Sequence, residues 1–278
     1  MIYLQVREGG ARMAQQKPHI FLMVLNTIAL IGMIVVNALA NALPLNGINT
    51  GELSDAIPNL FVPSGRTFAI WGLIYTLLIV FVVYQYTSRR TVKAEEEPVG
   101  LIGPWFFISC IANSLWIFAW HWQLQIPSIV IMLVLLATLI VMHTKSRLDD
   151  ASLGFRIGVM LPISVYLGWI TVATIANATA VLVVLEWNRF GLSEVFWTVA
   201  VLIVAIIINL LAIIIRGDIW FALVGAWALY GIYTKRTMTG IEPVPMVVYT
   251  AVAGVFAIGI AVIIHLIVKG RRVAREGY

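Results

Sequence analysis

The chain has 278 residues, of which 61% are hydrophobic and only 11% are charged, and its mean hydropathy is +0.97. Soluble domains carry about 25% charged residues, so this composition excludes a soluble enzyme and predicts an integral membrane protein. The net charge of +5 is the kind of excess that cytoplasmic loops supply, so no nucleic-acid partner is expected.

Eight apolar runs have about the length needed to cross a bilayer core of roughly 30 Å as helices. In chain order they cover residues 20–43, 67–87, 101–122, 126–143, 157–185, 195–215, 219–234 and 244–268. The first run is too long for the core of a signal peptide and is expected to be retained. No run alternates as barrel strands do, so an all-α polytopic membrane protein is predicted.

The basic residues distribute unevenly over the two sides of these eight spans. One side receives 14 of the 18 Lys and Arg residues, and the other receives only Arg66, Arg189, Lys235 and Arg236. Positive charge marks the cytoplasmic side. Both termini are therefore predicted to be cytoplasmic, in a protein of the cell membrane, with the polar loop 44–66 outside.

Titratable residues in the predicted spans are scarce. All 13 acidic residues fall in loops or at span ends, and no lysine lies within a span. This pattern disfavours an ion-coupled transporter. It also leaves the spans without a residue suited to conventional acid-base catalysis.

Histidine and cysteine are also scarce. His121 and His143 lie at span ends, where an interfacial role is expected, with a haem or zinc ligand as the alternative for His121. With one cysteine, Cys110, no disulfide or thiolate metal site is predicted.

Amides and aromatic side chains are the polar and bulky groups that the spans do contain. An amide in lipid needs a hydrogen-bond partner, so Asn37 and Asn209 are expected either to join helices or to contact a ligand. Trp116 and Trp169 lie deep in their spans, away from the interfacial positions that tryptophan prefers. They predict either a packed core or the wall of a pocket for a flat apolar ligand.

Three segments combine these features in order along the chain. The first, 61–75, leads from the outer loop into the second span and places Trp71 and Tyr75 on one helix face. The second contains Asn113 and Trp116, three residues apart. The third places Trp169, Ala173 and Asn177 in one stripe of the fifth span.

In their order and spacing these segments resemble the TspO/MBR family of translocator proteins and tryptophan-rich sensory proteins. The resemblance covers 20–187 and implies a five-helix bundle, followed here by three further helices. Two departures affect the expected pocket: Ile117 and Phe118 replace the family's prolines, and Ala176 replaces its leucine. In addition, Trp187 replaces the tyrosine of its sterol-recognition pattern.

The resemblance divides the chain into four parts. Residues 1–19 are expected to form a cytoplasmic segment, 20–187 the five-helix domain, 188–268 a three-helix region, and 269–278 a basic cytoplasmic tail.

The resemblance also implies a receptor or sensor for flat hydrophobic ligands, above all a tetrapyrrole such as porphyrin or haem. No obligatory cofactor is expected. The expected partners are the lipid bilayer, the small hydrophobic ligand and a second copy of the chain in a homodimer. The candidate ligand-binding residues are Trp71, Tyr75, Asn113, Trp116, Trp169, Ala173 and Asn177.

Two alternatives to a sensor stay open at this point. Eight helices allow an uncoupled transporter or permease for small hydrophobic compounds, because facilitated diffusion needs no intramembrane charge. The one catalytic alternative is light- or oxygen-dependent breakdown of a porphyrin, which relies on aromatic rings rather than on acids and bases.

We predict that reporter fusions after Lys93 and after Tyr278 both give a cytoplasmic signal, because basic residues concentrate on that side. Alkaline phosphatase and fluorescent-protein fusions at the two positions measure this directly. A periplasmic signal at Tyr278 alone would show that the seventh run does not cross the membrane.

Overall fold

The computed structural model describes residues 19–43, 45–88, 96–238 and 240–276. Within these ranges lie eight long helices, and no residue is in a strand, so the all-α fold class is confirmed. We number the helices α1 (Ile20–Ala42), α2 (Ile70–Thr87), α3 (Trp105–His121), α4 (Gln125–Ser146), α5 (Leu161–Val184), α6 (Glu194–Arg216), α7 (Ile219–Arg236) and α8 (Pro245–Glu276).

Six of these described helices are long and apolar enough to cross a membrane. The other two are α3, which has 17 residues, and α7, whose last turn contains Lys235 and Arg236. The protein is therefore a polytopic membrane protein, and a crossing by all eight helices stays a prediction.

Several helix ends differ from the predicted runs. The third helix begins at Trp105 rather than at 101, because Gly103 adopts a left-handed φ of 58° and separates it from a short helix, Pro98–Ile102. A π-helical turn, Arg156–Met160, leads directly into α5. The last helix continues to Glu276, beyond the apolar run that predicted its end at 268.

The helices pack in two connected groups. Helices α1 to α5 form a closed ring in which α1 contacts α2 and α3, α4 contacts α3 and α5, and α5 contacts α2. Helices α6, α7 and α8 pack against one another, and α7 also packs against α5. Helix α5 therefore joins the two groups.

Burial on all sides is the feature of α5 that suits it to this position. Every residue from 162 to 170 is buried, as expected of a helix that is apolar all round and surrounded by neighbours. Gly168 lies at the contact with α7, where an added Cβ would come within 3.0 Å of both the Phe221 carbonyl oxygen and the Val224 Cβ. Small residues allow such close approach between membrane helices.

We expect Gly168→Val to destabilise the protein by about 1–3 kcal/mol, the usual cost of forcing extra methyl groups into a packed contact. A thermal melt in detergent measures the loss. Gly32→Val is the matched control, because an added Cβ at Gly32 meets no atom within 4 Å. Equal melting temperatures for the two variants would contradict the close α5–α7 contact.

Candidate ligand site beneath the first loop

The loop between α1 and α2 contains a short helix of its own, Thr50–Ala56. A capping box starts this helix: the Asn49 side chain accepts a hydrogen bond from the Glu52 amide, and the Glu52 carboxylate accepts one from the Asn49 amide. Such reciprocal capping stabilises even a short helix. Glu52 therefore has a local structural role in the loop between α1 and α2.

His121, at the end of α3, anchors this loop. Its Nε2 is 2.9 Å from Thr50 Oγ1, its Nδ1 is 3.0 Å from the Leu45 carbonyl oxygen, and its own carbonyl accepts a hydrogen bond from Asn46. The side chain is fully buried. Both ring nitrogens are engaged in holding the loop, which disagrees with the haem or zinc ligand that was the alternative for His121. Its position at the membrane interface stays a prediction.

An aromatic cluster lies below the loop, where α2 meets α5. Trp71 stacks on Tyr75 at 5.5 Å between ring centroids and meets Tyr166 and Trp169 edge to face at 6.1 and 6.3 Å. Phe68 meets Trp169 in the same way at 5.7 Å. The predicted pair Trp71 and Tyr75 therefore shares one face of α2, as the four-residue spacing indicated.

Asn113 takes part in a buried network that joins three helices. Its Oδ1 accepts a hydrogen bond of 2.7 Å from Asn37 on α1, and its Nδ2 donates one of 3.0 Å to the Tyr166 hydroxyl on α5. Both asparagines are buried. The amides of Asn37 and Asn113 thus hold helices together.

Asn177 connects α5 to α3 and α4. Its Oδ1 accepts a hydrogen bond of 3.0 Å from the Trp116 indole, and its Nδ2 donates one of 3.0 Å to Ser128 Oγ. Trp116 also stacks on Trp120 at 5.8 Å. The two predicted residues Trp116 and Asn177 are therefore direct partners.

A cavity of about 40 Å³ lies between this aromatic cluster and the loop helix. Its lining residues are Thr50, Ser54, Pro63, Phe68, Trp71, Trp116, Trp120, Trp169, Val172, Ala173, Ala176 and Asn177. Five of the seven predicted site residues are among them, whereas Tyr75 and Asn113 lie outside the lining. Sequence reasoning did not select Trp120, although it lies one turn after Trp116.

Two tryptophans of this lining have unused hydrogen-bond donors. The buried Nε1 atoms of Trp120 and Trp169 have no hydrogen-bond partner in the described part of the chain. A buried donor without a partner is unfavourable by about 1–3 kcal/mol. A ligand acceptor that reached either Nε1 atom would remove this cost for that atom.

Helix α7 binds the end of the loop from the other side. The Ser64 amide donates to the Gly231 carbonyl at 3.0 Å, the Trp227 indole donates to the Thr67 carbonyl at 3.0 Å, and Thr234 donates to Ser64 Oγ at 3.1 Å. An added Cβ at Gly231 would lie 2.1 Å from Thr67 Oγ1. Only glycine lets the loop approach this closely.

The basic pair at the end of α7, Lys235 and Arg236, also contacts the loop. Lys235 forms an ion pair with Asp55, and Arg236 donates a hydrogen bond of 3.0 Å to the Asn59 carbonyl. The charge distribution assigned four basic residues to the outer side, and these contacts give two of them, Lys235 and Arg236, a structural role. The signal in the sequence was the acidic character of the loop that faces them.

Comparison with family models matches the chain to the family described as TSPO-like protein over residues 23–264. No curated protein and no solved structure matches it. The match begins in α1 and ends in α8, so it includes helices that the resemblance to the five-helix proteins left without a counterpart.

We expect Gly231→Ala to loosen the loop, because the new methyl group would collide with Thr67. Ser54→Cys, in a Cys110→Ala background, reports exposure of the loop helix through its rate of labelling by a maleimide. The labelling rate should rise about tenfold, which corresponds to 1.4 kcal/mol, at the low end of the cost of overpacking. The control is Gly259→Ala, where a Cβ meets no atom within 4 Å; equal rates in both would contradict the clamp.

Proposed function

The chain belongs to the TSPO-like protein family, and we propose that it is a membrane sensor that binds a tetrapyrrole, such as porphyrin or haem, beneath the 45–64 loop. The proposal extends the coarser conclusion that family membership supports, a membrane sensor or binding protein. It assigns the ligand to the aromatic cavity rather than to a metal or catalytic centre.

The observation that carries this proposal is the chemistry of the cavity wall. Flat indole rings suit a flat apolar ring system, and the indole donors of Trp120 and Trp169 have no partner in the described part of the chain. A porphyrin combines an aromatic macrocycle with carboxylate groups that accept hydrogen bonds. Such a ligand would use both features of the wall.

The size of the cavity adds a requirement for movement. At about 40 Å³ it has room for water molecules, whereas ligand pockets are typically about 300–1,000 Å³. Tetrapyrrole binding therefore requires the loop to move away from the aromatic cluster. The contacts of α7 with Ser64 and Thr67 oppose that movement, so ligand entry and loop release are coupled in this proposal.

We expect Ala173→Leu to weaken porphyrin binding by about tenfold or more, because the larger side chain projects into the cavity. The measurement is a titration of protoporphyrin, in the dark, into the purified protein, followed by quenching of tryptophan fluorescence. Ala178→Leu is the matched control: it makes the same change on the same helix at a part-buried position that does not line the cavity. Equal affinities for folded wild-type protein and Ala173→Leu would refute the pocket.

An uncoupled transporter is the second candidate. Separate cavities of about 590 and 810 Å³ lie toward opposite ends of α5 and α6, while Leu202 and Asn209 between them are buried. Porphyrin flux into sealed proteoliposomes distinguishes the two functions, because a sensor binds without flux and a transporter gives saturable flux.

The catalytic alternative, light- or oxygen-dependent breakdown of a porphyrin, has its own test. The purified protein is incubated with protoporphyrin under light, and formation of a breakdown product that Trp169→Phe abolishes would support this alternative.

A further inference from the structure

The largest of these cavities, about 810 Å³, lies at the end of the bundle away from the loop. It is bounded where α4, α6 and α8 approach their C-terminal ends and where α5 and α7 begin. Its volume is within the range of about 300–1,000 Å³ typical of ligand pockets. The sensor function proposed above gives this cavity no role.

Asp218 and Ser164 form the polar floor of this cavity. Asp218 is buried and caps the first turn of α7. Its Oδ2 lies 2.6 Å from His143 Nε2 and accepts a hydrogen bond of 2.7 Å from Ser164 Oγ. Burial raises the pKa of Asp218, but these hydrogen bonds and that from the Phe221 amide lower its pKa below the ordinary value. Ser164 and His143 both bind the same oxygen, which is not the relay of a serine hydrolase.

Basic side chains surround this floor. Arg147 lies 3.8 Å from Asp218 Oδ2 and donates to the Arg216 carbonyl, and Arg156 donates to the carbonyls of Ala151 and Asp149. The side chains of Arg216 and Lys269 also line the cavity, and within the described ranges neither forms a hydrogen bond or ion pair. Their charges are thus available to an anion.

The wall of the cavity changes from basic to apolar along α6 and α8. Ile214, Ile264 and Val268 line it, and each is at least 45% exposed. In a membrane-spanning bundle such exposed apolar side chains face lipid, so the cavity opens sideways toward the bilayer. A free inorganic anion has no apolar surface that could pack against this wall.

We propose that this cavity binds an anionic phospholipid. Its phosphate would lie among Arg147, Arg156, Arg216 and Lys269, and one acyl chain would run between α6 and α8 past Ile214 and Ile264. Arginine offers several donors to a phosphate oxygen, and basic pockets between membrane helices are known to recognise such head groups. The basic asymmetry of the sequence predicts that this end faces the cytoplasm, where anionic lipids are concentrated.

The test compares two variants of the full chain that remove the same charge from the same end. Arg216→Gln with Lys269→Gln removes two cations that line the cavity, and Lys145→Gln with Arg271→Gln removes two exposed cations that do not. Each protein in detergent micelles is titrated with phosphatidylglycerol or phosphatidylcholine, and thermal stabilisation reports lipid affinity. A third variant, Ala261→Phe, fills the cavity beside the expected acyl chain.

We expect phosphatidylglycerol to stabilise the wild-type protein more than phosphatidylcholine does. The cavity variant should bind phosphatidylglycerol about 30-fold more weakly, which is the equivalent of about 1 kcal/mol for each basic residue. The surface variant should bind it as the wild-type protein does. Ala261→Phe should also weaken binding, while its melting temperature without added lipid shows that it is folded.

Several results would overturn the proposal. Equal losses in the cavity and surface variants would show a response to overall charge, and equal stabilisation by the two lipids would show no head-group recognition. Stabilisation by inorganic phosphate equal to that by phosphatidylglycerol would identify a site for a free anion. Unchanged binding by Ala261→Phe would remove the acyl chain from the cavity. None of these results depends on porphyrin binding, so failure of the loop site would be recognised separately.

Discussion

Helices in a bilayer gain little by exchanging lipid for another apolar helix, so their association depends on close packing and on hydrogen bonds between buried polar groups. This constraint accounts for the central position of α5. The helix contributes Tyr166 to the network with Asn113, and Asn177 to the one with Trp116 and Ser128. Through Ser164 it also reaches Asp218. A small number of polar side chains on one helix thereby fixes the positions of α1, α3, α4 and α7.

The need of buried polar groups for hydrogen-bond partners also applies to the indoles of the aromatic cavity. Buried polar groups usually find partners, whereas the Nε1 atoms of Trp120 and Trp169 have none among the described residues, and both side chains line the cavity. The loop that covers this site is held from two directions, by His121 on α3 and by α7. One helix beyond the five-helix ring, α7, therefore contacts the loop that covers the cavity.

The two ends of the protein differ in the chemistry that they offer. The end with the loop presents neutral aromatic surface, and its basic pair, Lys235 and Arg236, is engaged with Asp55 and the Asn59 carbonyl. The opposite end gathers cations around a cavity, and its buried acid, Asp218, is engaged with His143 and Ser164. A flat aromatic ligand and an anionic amphiphile suit these two ends, respectively.

The sequence by itself determined the fold class and most of the helix positions, because about 20 apolar residues in a row have few alternatives to a helix in lipid. The resemblance to the TspO/MBR family also selected five of the residues that line the small cavity. Helical spacing placed three of them, Trp169, Ala173 and Asn177, on one face. Only the tertiary structure decided which polar groups meet. The bond between Trp116 and Asn177 joins residues 61 positions apart, and that between Trp227 and Thr67 joins residues 160 apart. Helix periodicity specifies faces, whereas the choice of partner face depends on packing between helices, which is why the burial of Asp218 and the role of α7 were not predicted.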